Sequence, residues 1–215
     1  CFLTSADRFW REHTLGDSQL VTPQQARRLR ATHFSFSFVR NPFDRLVAAY
    51  NNKILEIDDV PLPMKSMGLH HGMAFNHFIE TVCEADPEHM DNHVRPQAEM
   101  LLYSNQIVPK FIGRMEHMSD HWQRLRRRMK KEGLPTLGEL PLKNVRRDGR
   151  SDIRNLFCST ELVNIVLERY AQDFNTFYSD YSIEELLNGD CLKKLPPLQR
   201  KTKESDLKKD LQPST

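Results

Sequence analysis

Phe38-Val39-Arg40-Asn41-Pro42-Phe43-Asp44-Arg45-Leu46-Val47-Ala48-Ala49-Tyr50-Asn51-Asn52-Lys53 is the stretch on which the fold turns. Just before and within it, Phe34, Phe36 and Phe38 alternate with Ser35 and Ser37, which predicts a strand with one apolar and one small polar face. Arg40-Asn41-Pro42 ends that strand, and from Asp44 onward Leu46, Val47, Tyr50 and Ile54 fall on one side of a helix. A guanidinium at a strand end beside the first turn of a helix makes an anion site. The helix start offers amide donors and partial positive charge, and arginine adds a planar fork matched to phosphate oxygens. The same residues equally allow Arg40 to pair with a carboxylate such as Asp44.

Working outward, Thr22-Pro23-Gln24-Gln25 reads as a helix start, with Thr22 as cap, Pro23 in the first turn and Gln25 completing a capping box. Residues 56–70 read as a loop, Met73 to Cys83 as a short helix, and Asp86 to Gln97 as a loop carrying His89 and His93. A second strand is expected from Gln106-Ile107-Val108 into Phe111-Ile112-Gly113. Ser119 to Lys131 is a helix stopped at Gly133, and Leu134 to Ser151 is a basic loop. Ser159 to Tyr178 is expected as the longest helix, with Leu162, Val166, Tyr170, Phe174 and Phe177 as one buried stripe. Strands alternating with helices predict an α/β fold, a central parallel sheet flanked by helices, with ligands beyond the carboxyl ends of its strands. Residues 1–191 are read as one domain, and 192–215, rich in Lys and poor in apolar residues, as a disordered basic tail.

The 215 residues suffice for one sizeable core. Net charge is +2, which argues against a strongly electrostatic nucleic-acid binder. No apolar run is long enough to span a membrane, and Cys1 to Trp10 lacks the layout of a signal peptide. The first residue is Cys, so the chain is read as a fragment or a processed form. Cys1, Cys83, Cys158 and Cys191 are far apart, against a disulfide framework or a cysteine zinc site. His89/His93 and His117/His121 have spacings that suit two imidazoles on one helix face, but no third ligand stands at a diagnostic distance and no metal is expected. Arg124 to Lys131 is a basic helix end, read either as a polyanion contact or as a solvated face.

The central stretch resembles the carbohydrate sulfotransferase family that includes the chondroitin and dermatan enzymes and bacterial relatives. That family's pattern, Phe-Val-Arg-x-Pro-x-x-Arg-Leu-x-Ser-Ala-Tyr-x-x-Lys, is met at Phe38, Val39, Arg40, Pro42, Arg45, Leu46, Ala49, Tyr50 and Lys53. Four further segments resemble family elements in the right order: His93-Val94-Arg95-Pro96-Gln97, Phe111-Ile112-Gly113-Arg114-Met115-Glu116, Leu140-Pro141-Leu142-Lys143-Asn144, and Tyr170-Ala171-Gln172-Asp173-Phe174 with Phe177. The resemblance implies a P-loop-type sulfotransferase fold and transfer of a sulfuryl group from 3′-phosphoadenylyl sulfate to a hydroxyl of a glycan-like acceptor. It implies 3′-phosphate binding by Arg40, with Arg45 supporting the turn and assisting. Ala48 stands where the family has a phosphate-binding Ser, and Asn41 where an Asp is frequent. By analogy with sulfotransferases generally, the basic loop of Lys143, Arg146, Arg147 and Arg150 closes over the nucleotide.

The acceptor hydroxyl needs a base, and His93, in a matched loop, is the first candidate, ahead of Glu116 and Asp44. The family's Pro-Lys-x-x-Cys-Ser/Thr loop, which holds the 5′-phosphosulfate, is not found; Val108-Pro109-Lys110 mimics part of it in the wrong place. The loop is expected upstream of Cys1, so this chain would hold half of the donor site and be inactive in isolation. A non-catalytic relative that binds anionic glycans is the alternative favoured by Ala48 and the missing loop. A nucleotide kinase would need a Gly-x-x-x-x-Gly-Lys-Ser/Thr loop, which is absent. The absence of cysteines after Arg95-Pro96-Gln97 favours a reducing compartment, as in a bacterial cytoplasm, over the Golgi lumen of the eukaryotic members.

Overall fold

The computed structural model describes residues 22–135, 137–140 and 153–188. Helix α1 (Pro23–Leu29) opens with the expected capping box: the Gln25 amide donates to Thr22 Oγ1 at 3.2 Å, and the Thr22 amide to Gln25 Oε1 at 2.7 Å. Strand β1 (Phe36–Val39) leads into α2 (Pro42–Tyr50), which runs on into a π-helical turn, Asn51–Leu55. Then come α3 (Leu62–Ser66), inside the expected loop, α4 (Phe75–Glu84) and a 3-10 turn at Pro87–His89. Helix α5 (Gln97–Leu101) precedes a tight hairpin of β2 (Leu102–Tyr103) and β3 (Gln106–Ile107). Strand β4 (Phe111–Arg114), α6 (Met118–Lys131), α7 (Ile153–Leu156), α8 (Thr160–Arg169), α9 (Ala171–Phe177) and α10 (Ile183–Leu187) complete the order.

β1 and β4 pair in parallel, Phe36 opposite Phe111 and Val39 opposite Arg114. Among the described residues this two-stranded pair is the whole parallel sheet, short of the full central sheet expected. The expected second strand is divided: residues 106–107 turn back on β2, with Ser104 and Asn105 both at positive φ as a type I′ turn demands, and only 111–114 joins β1. The two faces of β1 also differ from the expected pattern. Phe36 is 41% exposed while Val39, on the other face, is fully buried. The Phe38 ring lies across Gly113, where an added Cβ would come within 2.3 Å of it, so this register needs glycine there.

The core sits on the other side of β1, around α2. The Phe43 ring packs against Phe157 at 5.0 Å and Phe174 at 5.2 Å, and Phe75 joins Phe157 at 5.1 Å and Tyr50 at 5.1 Å. Such aromatic edges and tilts supply dense, low-strain packing. Leu162, Val166, Tyr170, Phe174 and Phe177 are all buried as the stripe predicts. The single long helix is instead two, α8 and α9, broken at Tyr170, and α6 with 14 residues is the longest among the described residues. The stripe stays buried on both sides of the break. Helix α6 ends as expected at Gly133, whose φ is +70° and whose amide, with that of Leu134, closes back on the carbonyls of Lys130 and Met129.

Candidate active site

The site is built where β1 ends. Asn41, 1% exposed, caps α2 by accepting from the Phe43 amide at 3.1 Å, and its side-chain amide donates to the Leu186 carbonyl at 2.8 Å. An aspartate could make the first bond but not the second, which gives the Asn41 departure a physical reason. The Asn41 backbone amide donates to Glu116 Oε1 at 2.5 Å. Burial pushes the Glu116 carboxyl above the usual carboxylate range, against the hydrogen bonds from Asn41 and Tyr178. The anion held at the start of α2 is therefore Glu116 itself, and Pro42 has no amide to offer. Two helix-start amides, those of Asn41 and Phe43, are thus taken by the protein's own side chains.

Arg40 is a partly exposed cation at the end of β1. Its backbone is clamped by Gln97, whose Oε1 accepts from the Arg40 amide and whose Nε2 donates to the Arg40 carbonyl, both at 2.8 Å. Its Nε donates to Asp44 Oδ2 at 2.5 Å, the carboxylate pairing that the residues alone left open. No partner of its two Nη groups is found among the described residues. Ala48 follows one helical turn after Asp44 and is partly exposed. Arg45 points elsewhere. Its guanidinium donates to the carbonyls of Arg95 at 2.5 Å and Asn92 at 2.6 Å, and burial pushes its pKa down. It is engaged with the protein's own loop, in keeping with the turn-supporting role the resemblance implies for it. Lys143, Arg146, Arg147 and Arg150 lie outside the described residues.

That loop, residues 91–97, is held from several sides. Tyr170 donates through its hydroxyl to the Val94 carbonyl. Asp173, fully buried, accepts from the amides of Gln97 at 2.8 Å and Ala98 at 2.6 Å and from Gln97 Nε2 at 3.2 Å. Burial pushes the Asp173 carboxyl up, against these bonds. His93 sits on the loop with its side chain 39% exposed; its ring Nδ1 lies 2.7 Å from Asp91 Oδ1, and Asp91 is buried beneath. Asp91 was not foreseen, although its Asp-x-His spacing is visible in the chain.

The C-terminal end of β4 is locked likewise. Arg114 forms a two-point ion pair with Asp180 at 3.0 and 2.6 Å and lies 5.0 Å from the ring centres of Tyr178 and Tyr181. His117 Nε2 is 2.9 Å from the Tyr181 hydroxyl, and the Arg114 amide donates to His121 Nδ1 at 2.7 Å. Both imidazoles of this His-x-x-x-His pair are thus engaged by the protein, and the described residues contain no cluster of three or more metal-ligating groups. Along α6, Arg124, Arg126 and Arg128 pair with Asp120, Glu139 and Glu132, which supports the solvated-face reading of the basic run. No described helix is long and apolar enough to cross a membrane.

Four of the five segments singled out by resemblance interlock: Gln97 on Arg40, Arg45 on the 92–95 carbonyls, Glu116 on Asn41, and Tyr170 and Asp173 on the 94–98 backbone; residues 141–144 of the fifth lie outside the described residues. No curated protein and no solved structure matches the chain. Comparison with protein families matches residues 4–180 to the sulfotransferase family. Over four-fifths of its length, with its matched segments joined into one scaffold, the chain belongs to the sulfotransferase family.

Proposed function

We propose that this protein transfers a sulfuryl group from 3′-phosphoadenylyl sulfate to a hydroxyl of a carbohydrate-like acceptor. The observation that carries the reading is Arg40: a backbone clamped by Gln97, an Nε held by Asp44, and two Nη groups unengaged among the described residues. A guanidinium so fixed is prepared to take two phosphate oxygens at little further entropic cost. Arg40 would bind the 3′-phosphate, with the partly exposed face of α2 at Ala48 beside it and Lys143 and Arg146 closing over it. The nucleotide supplies the activated sulfuryl group and leaves as adenosine 3′,5′-bisphosphate. His93 takes the acceptor proton as the acceptor oxygen forms its bond to sulfur. Arg45 belongs to the scaffold in this reading, because it fixes the loop that carries His93. Ala48 lacks the hydroxyl that a serine would add, a contact of about 1 kcal/mol.

The test is calorimetric titration of adenosine 3′,5′-bisphosphate into the full-length protein. Binding should be weakened about 10- to 100-fold by Arg40→Ala, the loss expected of charge-assisted hydrogen bonds. Ala48→Ser should tighten it. No binding by the folded, unaltered protein would sink the enzyme reading and favour a non-catalytic, anionic-glycan-binding relative, to which Ala48 already points.

A further inference from the structure

We propose that Asp91 is a positioning residue for His93, fixing which ring nitrogen carries the proton and turning the other outward as a base. The inference rests on the reading of His93 as the proton acceptor. A single oxygen, Asp91 Oδ1, lies within hydrogen-bond reach of two nitrogens of the same residue: it accepts from the His93 amide at 2.8 Å and is 2.7 Å from ring Nδ1. The backbone bond sets the loop turn, and the ring bond sets the side-chain rotation. The Asp91 side chain is 1% exposed against 39% for His93, so the carboxylate lies beneath the ring.

An ionised carboxylate only accepts hydrogen bonds, so Nδ1 must be the protonated nitrogen and Nε2 keeps its lone pair. Burial opposes the Asp91 charge, but the His93 hydrogen bonds and the charge of Lys53 outweigh it and hold the carboxyl below its usual range. Arg45 is the other cation facing Asp91. Asp91 Oδ2 is buried and has no hydrogen-bond partner among the described residues. A loop residue needed only for its turn would do as well with a neutral side chain and no stranded oxygen. A carboxylate is instead what an imidazole requires when it becomes charged: as Nε2 gains the acceptor's proton, the Asp91–His93 contact turns from a hydrogen bond into an ion pair. That interaction is strongest when the proton has moved, so it favours the transition state over the ground state.

The experiment is long-range 1H–15N correlation spectroscopy of the histidine rings in the full-length protein, with the His93 signals assigned by their loss in His93→Gln. With the ring neutral, Nδ1 should give a protonated, pyrrole-type shift and Nε2 an unprotonated, pyridine-type shift. Asp91→Ala should move the population to the Nε2–H form. An Nε2–H tautomer in the unaltered protein overturns the proposal, and so does an unchanged tautomer in folded Asp91→Ala. If that variant does not fold, the tautomer of the unaltered protein still decides. The nucleotide titration does not enter this readout, so a failure of donor binding is told apart from a failure of the Asp91–His93 pairing.

Discussion

Two arginines five residues apart in one motif are used in opposite ways. Arg45 is inside, with both Nη groups on loop carbonyls and its pKa pushed down by burial. Arg40 is at the surface, its side chain 29% exposed and its recorded partner a single carboxylate. The contrast extends to their surroundings. In the interior, loop 91–97 is tied to Tyr170 and α9, and the end of β4 to α6, by buried hydrogen bonds. The Arg40 side chain and its partner Asp44 are both partly exposed. The motif is therefore part scaffold and, in the proposed reading, part site, and the two parts should fail differently.

The largest effect belongs to the interior. Asp173→Ala removes the acceptor of three N–H groups, two of them backbone amides at the start of α5. Leaving buried donors unpaired costs about 1–3 kcal/mol each, so a loss of about 4 kcal/mol is expected in urea unfolding. A loss below about 1 kcal/mol would mean that loop 91–97 is not held from α9, and the contrast between the two arginines would collapse.

Acid should act on the same side. His121 accepts the Arg114 amide at Nδ1, and burial, with the nearby Arg124 charge, lowers its pKa from 6.5 to about 4. The unfolded imidazole takes its proton near 6.5, the folded one only near 4. Between those values the unfolded state binds more protons, so stability is complete above 6.5 and falls as pH drops toward 4. The upper bound for this group is about 3 kcal/mol. His121→Asn keeps an acceptor at the Nδ1 position without a titrating ring, so its stability should fall less steeply across that window in urea unfolding at several pH values. Parallel profiles for the variant and the unaltered protein would remove His121 from the acid response.

What was legible in the chain follows the same division. The strand, turn and helix from Phe36 to Tyr50 were readable because apolar spacing and Pro42 act locally. The capping box at Thr22 and the stop at Gly133 were readable for the same reason. The break at Tyr170 was not, because the stripe from Leu162 to Phe177 keeps its spacing across it and no Gly or Pro marks it. The β2–β3 hairpin was hidden by its brevity and by a Ser104-Asn105 turn without glycine. Glu116 at the start of α2 is a contact across 75 residues, and no local pattern announces it. His93 was found as a residue type in a matched loop, while the carboxylate beneath it is a fact of three-dimensional placement.

The smallest stability effect should come with the largest loss of ligand binding. Arg40→Ala breaks a partly exposed ion pair, worth under about 1 kcal/mol, because water screens the charges and holding two side chains in place costs entropy. The Gln97 clamp acts on the Arg40 backbone and survives the truncation. Unfolding of Arg40→Ala should therefore nearly superimpose on that of the unaltered protein. A loss of about 3 kcal/mol would place Arg40 in the scaffold beside Arg45. A near-neutral result makes its side chain dispensable for folding, as the proposal requires of a clamped, partly exposed guanidinium kept for an anion.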